Sequence, residues 1–320
     1  MKFVIALSLF AFSILRCFGA KEEICLADPA LYKHEGIYYL FGTEPPPQSG
    51  FRIYASKDLK EWHVPETAFE RGYVLKAGEQ AFGTQGFWAP QVLGYRGKVT
   101  MLYTANQKIA VAYADHPTGP FAQDTIRSLN DDLLQIDPFL FQDDDGTLYL
   151  YHVRFDDGNH LYVAEMKENL SGIKENTLKH CLSVEDGTWE NTQSYQSKEV
   201  VEGPTLVKRK GIYYLVYSAN HFMSTDYAVG YATSESPTGP WSRHTGNPIL
   251  RKEFLGINGT GHGDIFLDDE DMYYVFHTHA SNDAVRPRHT MLVKMRFEET
   301  DSGIDKLVVD YDTATYLYKN

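Results

Sequence analysis

Three acids each head a recurring phrase. Asp28-Pro-Ala-Leu-Tyr, Asp137-Pro-Phe-Leu-Phe and Glu202-Gly-Pro-Thr-Leu all place a carboxylate before a short turn and an apolar strand. A tyrosine-rich partner strand follows each of them: Gly36-Ile-Tyr-Tyr-Leu40, Gly146-Thr-Leu-Tyr-Leu150 and Gly211-Ile-Tyr-Tyr-Leu215. One such acid before Pro or Gly most simply caps its own turn. Three of them in an internal repeat point to a site. Carboxylates gathered in one pocket can cleave a sugar acetal: one protonates the leaving oxygen, and another activates water or attacks the anomeric carbon. Their proton affinities must be pushed apart, and a third carboxylate beside the pair supplies a charge that does so.

The acids are far apart in sequence, so the fold must bring them together. The repeat has further members headed by Trp88-Ala-Pro-Gln-Val and Gly261-His-Gly-Asp-Ile-Phe266. Its starts are roughly 50 to 65 residues apart, the period of a four-stranded propeller blade. Within each member, short β-rich runs are separated by turn chemistry such as Tyr95-Arg-Gly and Lys208-Arg-Lys-Gly. Amphipathic helical periods are absent. The expected fold is all-β: a five-bladed β-propeller of four-stranded antiparallel blades around a central channel. The first strand of each blade lines that channel, so Asp28, Trp88, Asp137, Glu202 and His262 are expected at one mouth of it. The repeated Pro-Thr-Gly-Pro-aromatic element at 117–121 and 237–241 reads as a turn before the chain crosses to the next blade. The polar stretch 168–199 reads as a surface excursion of the third blade.

Aromatic residues make up 14% of the 320 residues, which favours β-structure and surfaces that stack on sugars. A net charge of -13 without a basic block argues against nucleic acid. Residues 1–20 read as a signal peptide: Lys2, an apolar run from Phe3 to Leu15 too short to span a bilayer, then Gly19-Ala20 before Lys21-Glu-Glu. Export follows from that reading, and residues 25–320 form one propeller domain. Arg16 argues against a lipid anchor on Cys17. No other stretch approaches a membrane span. Cys25 and Cys181 remain after cleavage, and their spacing does not decide whether they pair.

Taken in order, Ala27-Asp28-Pro, Trp88-Ala-Pro-Gln-Val, Ile136-Asp137-Pro, Val201-Glu202-Gly-Pro and Gly261-His262-Gly resemble glycoside hydrolase family 43 over about residues 25–297. The resemblance implies a five-bladed propeller and an inverting, exo-acting glycosidase of plant polysaccharide side chains. It implies Asp28 as general base, Glu202 as general acid, and Asp137 as the residue that orients the acid and tunes its pKa. Trp88, Ile136 and Arg288 would bind the sugar, with Arg286 the other candidate arginine. No cofactor is required for the chemistry, although many members hold a calcium ion in the channel near the histidine that His262 matches. The implied substrates are arabinofuranosides first, then xylosides or galactosides. A propeller that only binds glycans is the rival of another class, and it would not need three acids at blade starts. The acidic runs Asp143-Asp-Asp145, Asp156-Asp157 and Asp268-Asp-Glu-Asp271 read as solvated hairpins lacking a calcium-loop pattern. His277-Thr-His279 reads as structural, since no third ligand accompanies the pair.

Overall fold

A computed structural model describes residues 21–320, apart from 131, 196, 197 and 302; the expected signal peptide and Cys17 lie outside the described residues. The chain is a five-bladed β-propeller. Blade 1 runs outward through Ala27–His34, Ile37–Thr43, Tyr54–Ser56 and Glu61–His63. Blade 2 has Trp88–Tyr95, Lys98–Ala105 and Lys108–Ala114, with a single Tyr113–Ala122 bridge where a fourth strand would lie. Blade 3 comprises Gln135–Gln142, Leu148–Phe155, Gly158–Glu165 and Lys179–Leu182. Blade 4 comprises Glu199–Arg209, Ile212–Ala219, Ala228–Ser234 and Ser242–Arg243. Blade 5 comprises Gly261–Asp268, Asp271–Thr278, His289–Glu298 and Lys306–Tyr316.

The innermost hairpins of blades 1, 2 and 4 use the same two-residue turn. Glu35-Gly36, Arg96-Gly97 and Lys210-Gly211 have positive φ at both positions, the geometry whose twist matches the flanking strands. Strand alternation then sends neighbouring side chains to opposite faces. Tyr213 packs toward blade 3 and Tyr214 toward blade 5. Five apolar clusters fill the five seams between consecutive blades, the last joining blade 5 to blade 1. The core is therefore a ring of seams around a polar channel.

The Pro-Thr-Gly-Pro turns stand at the outer edge of their blades before the crossing, and lead into Ala122 in blade 2 and Ser242–Arg243 in blade 4. Two expectations need correction. The stretch 168–199 is not only an excursion, because Lys179–Leu182 within it is the outer strand of blade 3. Two acidic runs also do more than meet solvent. Asp143 receives Lys208 at 2.5 Å and the Tyr213 hydroxyl at 2.5 Å, clasping blade 3 to blade 4. Asp268 receives Lys33 at 2.5 Å and Tyr38 at 2.6 Å, the same clasp between blades 5 and 1. The ring is closed further by Tyr318–Lys319, which lies parallel to the outer strand of blade 1, and by Glu22–Glu23 outside it. Cys25 and Cys181 are both free thiols.

Candidate active site

Each innermost strand breaks its ladder once, near its start, at a bulge. The register shifts fall between Ala27 and Ala30, Trp88 and Gln91, Ile136 and Phe139, Glu202 and Thr205, and Gly261 and Asp264. Each bulge holds one residue at positive φ: Asp28 at 48°, Ala89 at 44°, Asp137 at 55°, Gly203 at 60° and His262 at 42°. Such values are sparsely populated outside glycine, and strain of this kind gathers at functional sites. These five residues line a small cavity in the channel, of about 30 Å³, which is room for roughly one water.

The three acids do not share one matching place, as their common phrase led us to expect. Asp28 and Asp137 occupy the positive-φ slot. Glu202 sits one residue earlier, in the place of Ala27, Trp88, Ile136 and Gly261. The cause is steric. A Cβ at Gly203 would stand 2.9 Å from the His262 ring, so blade 4 admits only glycine in the slot. The acid moves back by one, and the longer Glu side chain still reaches the site. The prolines at 29, 90, 138 and 204 mark this frame in the sequence.

A larger cavity of about 300 Å³ opens above the channel. Asp28, Asp137, Glu202, Trp88, Ile136, His262 and Arg288 all line it, together with Arg286 and the unforeseen Gln48, Gln107, Phe155, Asn159, His221 and Phe222. Asp28 has the densest surroundings. The Thr43 hydroxyl donates to its Oδ2 at 2.6 Å, and Arg288 Nη1 to its Oδ1 at 3.2 Å. His262 Nδ1 and His277 Nδ1 each stand 3.4 Å from Oδ1. Burial alone would raise the Asp28 pKa, but Arg288, then His262, His277 and the Thr43 hydroxyl, hold the carboxyl well below the usual range.

Asp137 occupies the equivalent slot with the opposite result. Burial raises its pKa; His262 opposes this, while the charges of Glu202 and Asp28 add to it. The Gly203 N–H donates to its Oδ2 at 3.2 Å, a thread from this acid to the backbone beside Glu202. Glu202 is held at both oxygens, by Tyr227 OH at 2.8 Å and Asn159 Nδ2 at 3.0 Å. Burial raises the Tyr227 pKa far above its usual value, so the phenol remains a donor. Asn159 arrives because Gly158-Asn159 runs parallel to Glu199-Val200, a direct pairing of blade 3 with the inner strand of blade 4.

Trp88 donates its indole N–H to Gln48 at 2.7 Å, which fixes the ring on the cavity wall. Arg288 lies over the Phe222 ring, 4.6 Å from its centroid. Arg286 is 5.7 Å from the same ring, and among the described residues no ion pair with an acid brings it into the cluster around Asp28. His277 belongs to the site more closely than a structural reading of His277-Thr-His279 implied. Its Nδ1 accepts the Asp28 backbone N–H at 3.1 Å, and its Nε2 is 3.3 Å from Arg288. Burial, with Arg288 beside it, keeps the ring neutral. His279 is turned away, to the Phe222 carbonyl at 2.8 Å.

His262 could offer a cation one nitrogen at most. Burial would lower its pKa, but Asp28, Asp137 and Glu202 together raise it. Calcium needs six to eight oxygens. Among the described residues no group of three or more His, Cys, Asp or Glu is arranged to hold a metal ion. No step below passes through one.

The chain matches glycosyl hydrolases family 43 over residues 23–302. It belongs to that family. A β-D-galactofuranosidase of Aspergillus niger is 35% identical over 301 residues, covering 85% of this chain and 80% of that protein. An extracellular endo-α-(1→5)-L-arabinanase of Bacillus subtilis is 26% identical, covering 91% of this chain and 86% of that one. Among solved structures, an endo-1,4-β-xylanase of Bacteroides thetaiotaomicron superposes with a TM-score of 0.83 at 38% identity, covering 94% of this chain and 99% of that one. The chain is thus a glycoside hydrolase, and these family relatives carry three different sugar specificities.

Thr43 gives a direct test of the Asp28 surroundings. Its hydroxyl donates to Asp28 and also accepts the Ala89 N–H at 2.9 Å. Thr43→Val keeps the shape, removes the donor to Asp28 and orphans a buried N–H, at a cost of about 1–3 kcal/mol. The melting temperature should fall. A carboxylate depressed by its donors rises when one is lost, so the acidic limb of kcat/KM should move to higher pH. Thr43→Ser should restore both. An unmoved limb in Thr43→Val would detach Asp28 from that limb.

Proposed function

We propose that the chain is an exported, inverting, exo-acting glycosidase that releases furanose side groups from plant polysaccharides, with α-L-arabinofuranosides as its first substrates. One observation carries the reading: three carboxylates meet at a single cavity with unlike surroundings. Asp28, held ionised by Arg288 and the Thr43 hydroxyl, serves as the base that takes a proton from water. Glu202, placed by Tyr227 and Asn159, protonates the leaving oxygen. Asp137 holds the Gly203 backbone and sets the charge beside the acid. Arg288 and Trp88 position the sugar.

The choice of sugar draws on stereochemistry. α-L-Arabinofuranose and β-D-galactofuranose share ring configuration and anomeric orientation, and they differ only in the exocyclic carbons. A pocket built for one admits the other if the far wall leaves space. A relative named for galactofuranose and one named for arabinan therefore both fit a furanose pocket. A cavity of about 300 Å³ is at the small end of ligand sites and suits one sugar ring better than a length of chain. The relative named as a xylanase, at 38% identity, favours xylose as the second reading. Export is supported by the leader-like residues 1–20 and by the relative named extracellular.

The test is a panel of p-nitrophenyl α-L-arabinofuranoside, β-D-galactofuranoside and β-D-xylopyranoside, followed by NMR of the first-formed sugar. Arabinofuranoside should be cleaved fastest, and the product should appear with its anomeric configuration inverted. Preferred release of xylose would move the assignment to the second reading. Retention, or a trapped glycosyl-enzyme, would make Asp28 a nucleophile instead of a base.

A further inference from the structure

The cavity does not end at its acids. His221 lines it, on the turn that follows the second strand of blade 4. The next residue, Phe222, has its ring centroid 4.6 Å from that of His221 and carries Arg288 on its face. On the outer side, Tyr195 stacks on His221 with centroids 4.8 Å apart and planes 19° from parallel. Tyr195 is 38% exposed, and Met223, which receives its hydroxyl at 3.4 Å, is 37% exposed. A stepped aromatic shelf thus runs from Arg288, through Phe222 and His221, to an open tyrosine at the rim.

The shelf is built by two blades, which are joined around Asn220. Asn220 is buried, with φ at 66°. Its Oδ1 accepts the Thr192 N–H at 3.1 Å, and its Nδ2 donates to the Trp189 carbonyl at 2.8 Å and to the Asp226 carbonyl at 3.0 Å. Ser194 and Ser224 meet through their hydroxyls beside it. These bonds tie the end of the blade 3 excursion to the blade 4 turn, and so place Tyr195 over His221. Among the described residues, the Tyr195 ring belongs to none of the five apolar clusters.

We propose that Tyr195, stacked on His221, is the platform that receives the leaving-group sugar of a saccharide substrate. The inference rests on the glycosidase reading above and assigns the other half of its substrate. In an inverting displacement the base and the acid lie on opposite sides of the reacting carbon, and the departing sugar lies on the acid's side. Here Arg288 and Asp28 mark the side of the held ring. His221 lines the same cavity as Arg288 and Glu202. Outward from the cavity, past His221, the next surface is the open face of Tyr195. The C–H face of a sugar packs well on such a ring, and stacking on His221 holds it flat without cost at the moment of binding.

The test separates the leaving group from the held ring. Wild type, Tyr195→Ala and Tyr195→Phe are compared on an oligosaccharide and on the glycosyl fluoride of the same sugar, whose leaving group is too small to touch the shelf. Tyr195→Ala should lose about three- to tenfold in kcat/KM on the oligosaccharide. It should keep the wild-type value on the fluoride, and Tyr195→Phe should match wild type on both. An equal loss on both substrates would overturn the proposal in favour of a structural role, and no loss on either would overturn it outright. A wild-type enzyme that cleaves no fluoride in the panel would instead sink the glycosidase reading itself.

Discussion

Asp28→Asn should remove hydrolysis of every substrate, whatever its leaving group, by up to about 10⁴-fold. The amide keeps the size of the side chain and can still accept the Thr43 hydroxyl. It cannot take a proton from water. It also turns an N–H₂ toward Arg288 and His262, where a carboxylate now meets two potential donors. The guanidinium of Arg288 is then left largely buried without a carboxylate partner, beside His277 and the Phe222 ring. The variant should therefore lose stability as well as activity, by about 1–3 kcal/mol. Added azide should restore part of the turnover on activated substrates, since a small anion fits where the water stood and needs no base to attack. The glycosyl azide it forms should have the inverted configuration. A variant with near-wild-type rates would remove Asp28 from the chemistry.

Glu202→Gln should show the opposite selectivity. Glutamine can offer its carbonyl to Asn159 and its amide N–H to the Tyr227 oxygen, so the packing around it survives. What it lacks is a proton to give. Substrates with alkoxide leaving groups should slow by about 10²–10⁴-fold, because their oxygen must be protonated as the bond breaks. Dinitrophenyl glycosides, whose leaving group departs as a stable anion, should lose far less. Rates plotted against leaving-group acidity should thus be steep in Glu202→Gln and flat in Asp28→Asn. The reverse pattern would exchange the two assignments.

The sequence showed the blade period because each hairpin repeats its turn chemistry, and because each pair of tyrosines must face two seams. It showed which acids head the blades. It did not show that Glu202 is displaced by one residue from the slot of Asp28 and Asp137. That shift depends on the His262 ring, a contact across blades. The parts played by Thr43, Asn159, Tyr227 and His277 were not legible for a related reason. They stand at the ends of second and third strands or in a loop, where no phrase repeats, and each acts on an acid from another part of the chain. His277 was seen and read as structural, since nothing near it in sequence names Asp28 as its partner. The outer strand of blade 3 was hidden by the polar composition of the stretch around it.

The Asp28 site lies where the ring closes. The bond from its backbone to His277 spans 249 residues, and the bond to Arg288 spans 260. The Lys33–Asp268 clasp and the pairing of Tyr318–Lys319 with blade 1 join equally distant parts. Contacts with such large loop-closure entropy form late, after the local hairpins. A chain with four blades folded and the fifth undocked would hold Glu202, Tyr227 and Asn159 in place, yet Asp28 would lack His277 and Arg288. Catalytic competence is then a reporter of completed folding. In a refolding experiment activity should return with the slowest phase, and a nascent chain should stay inert until its last blade has emerged and docked.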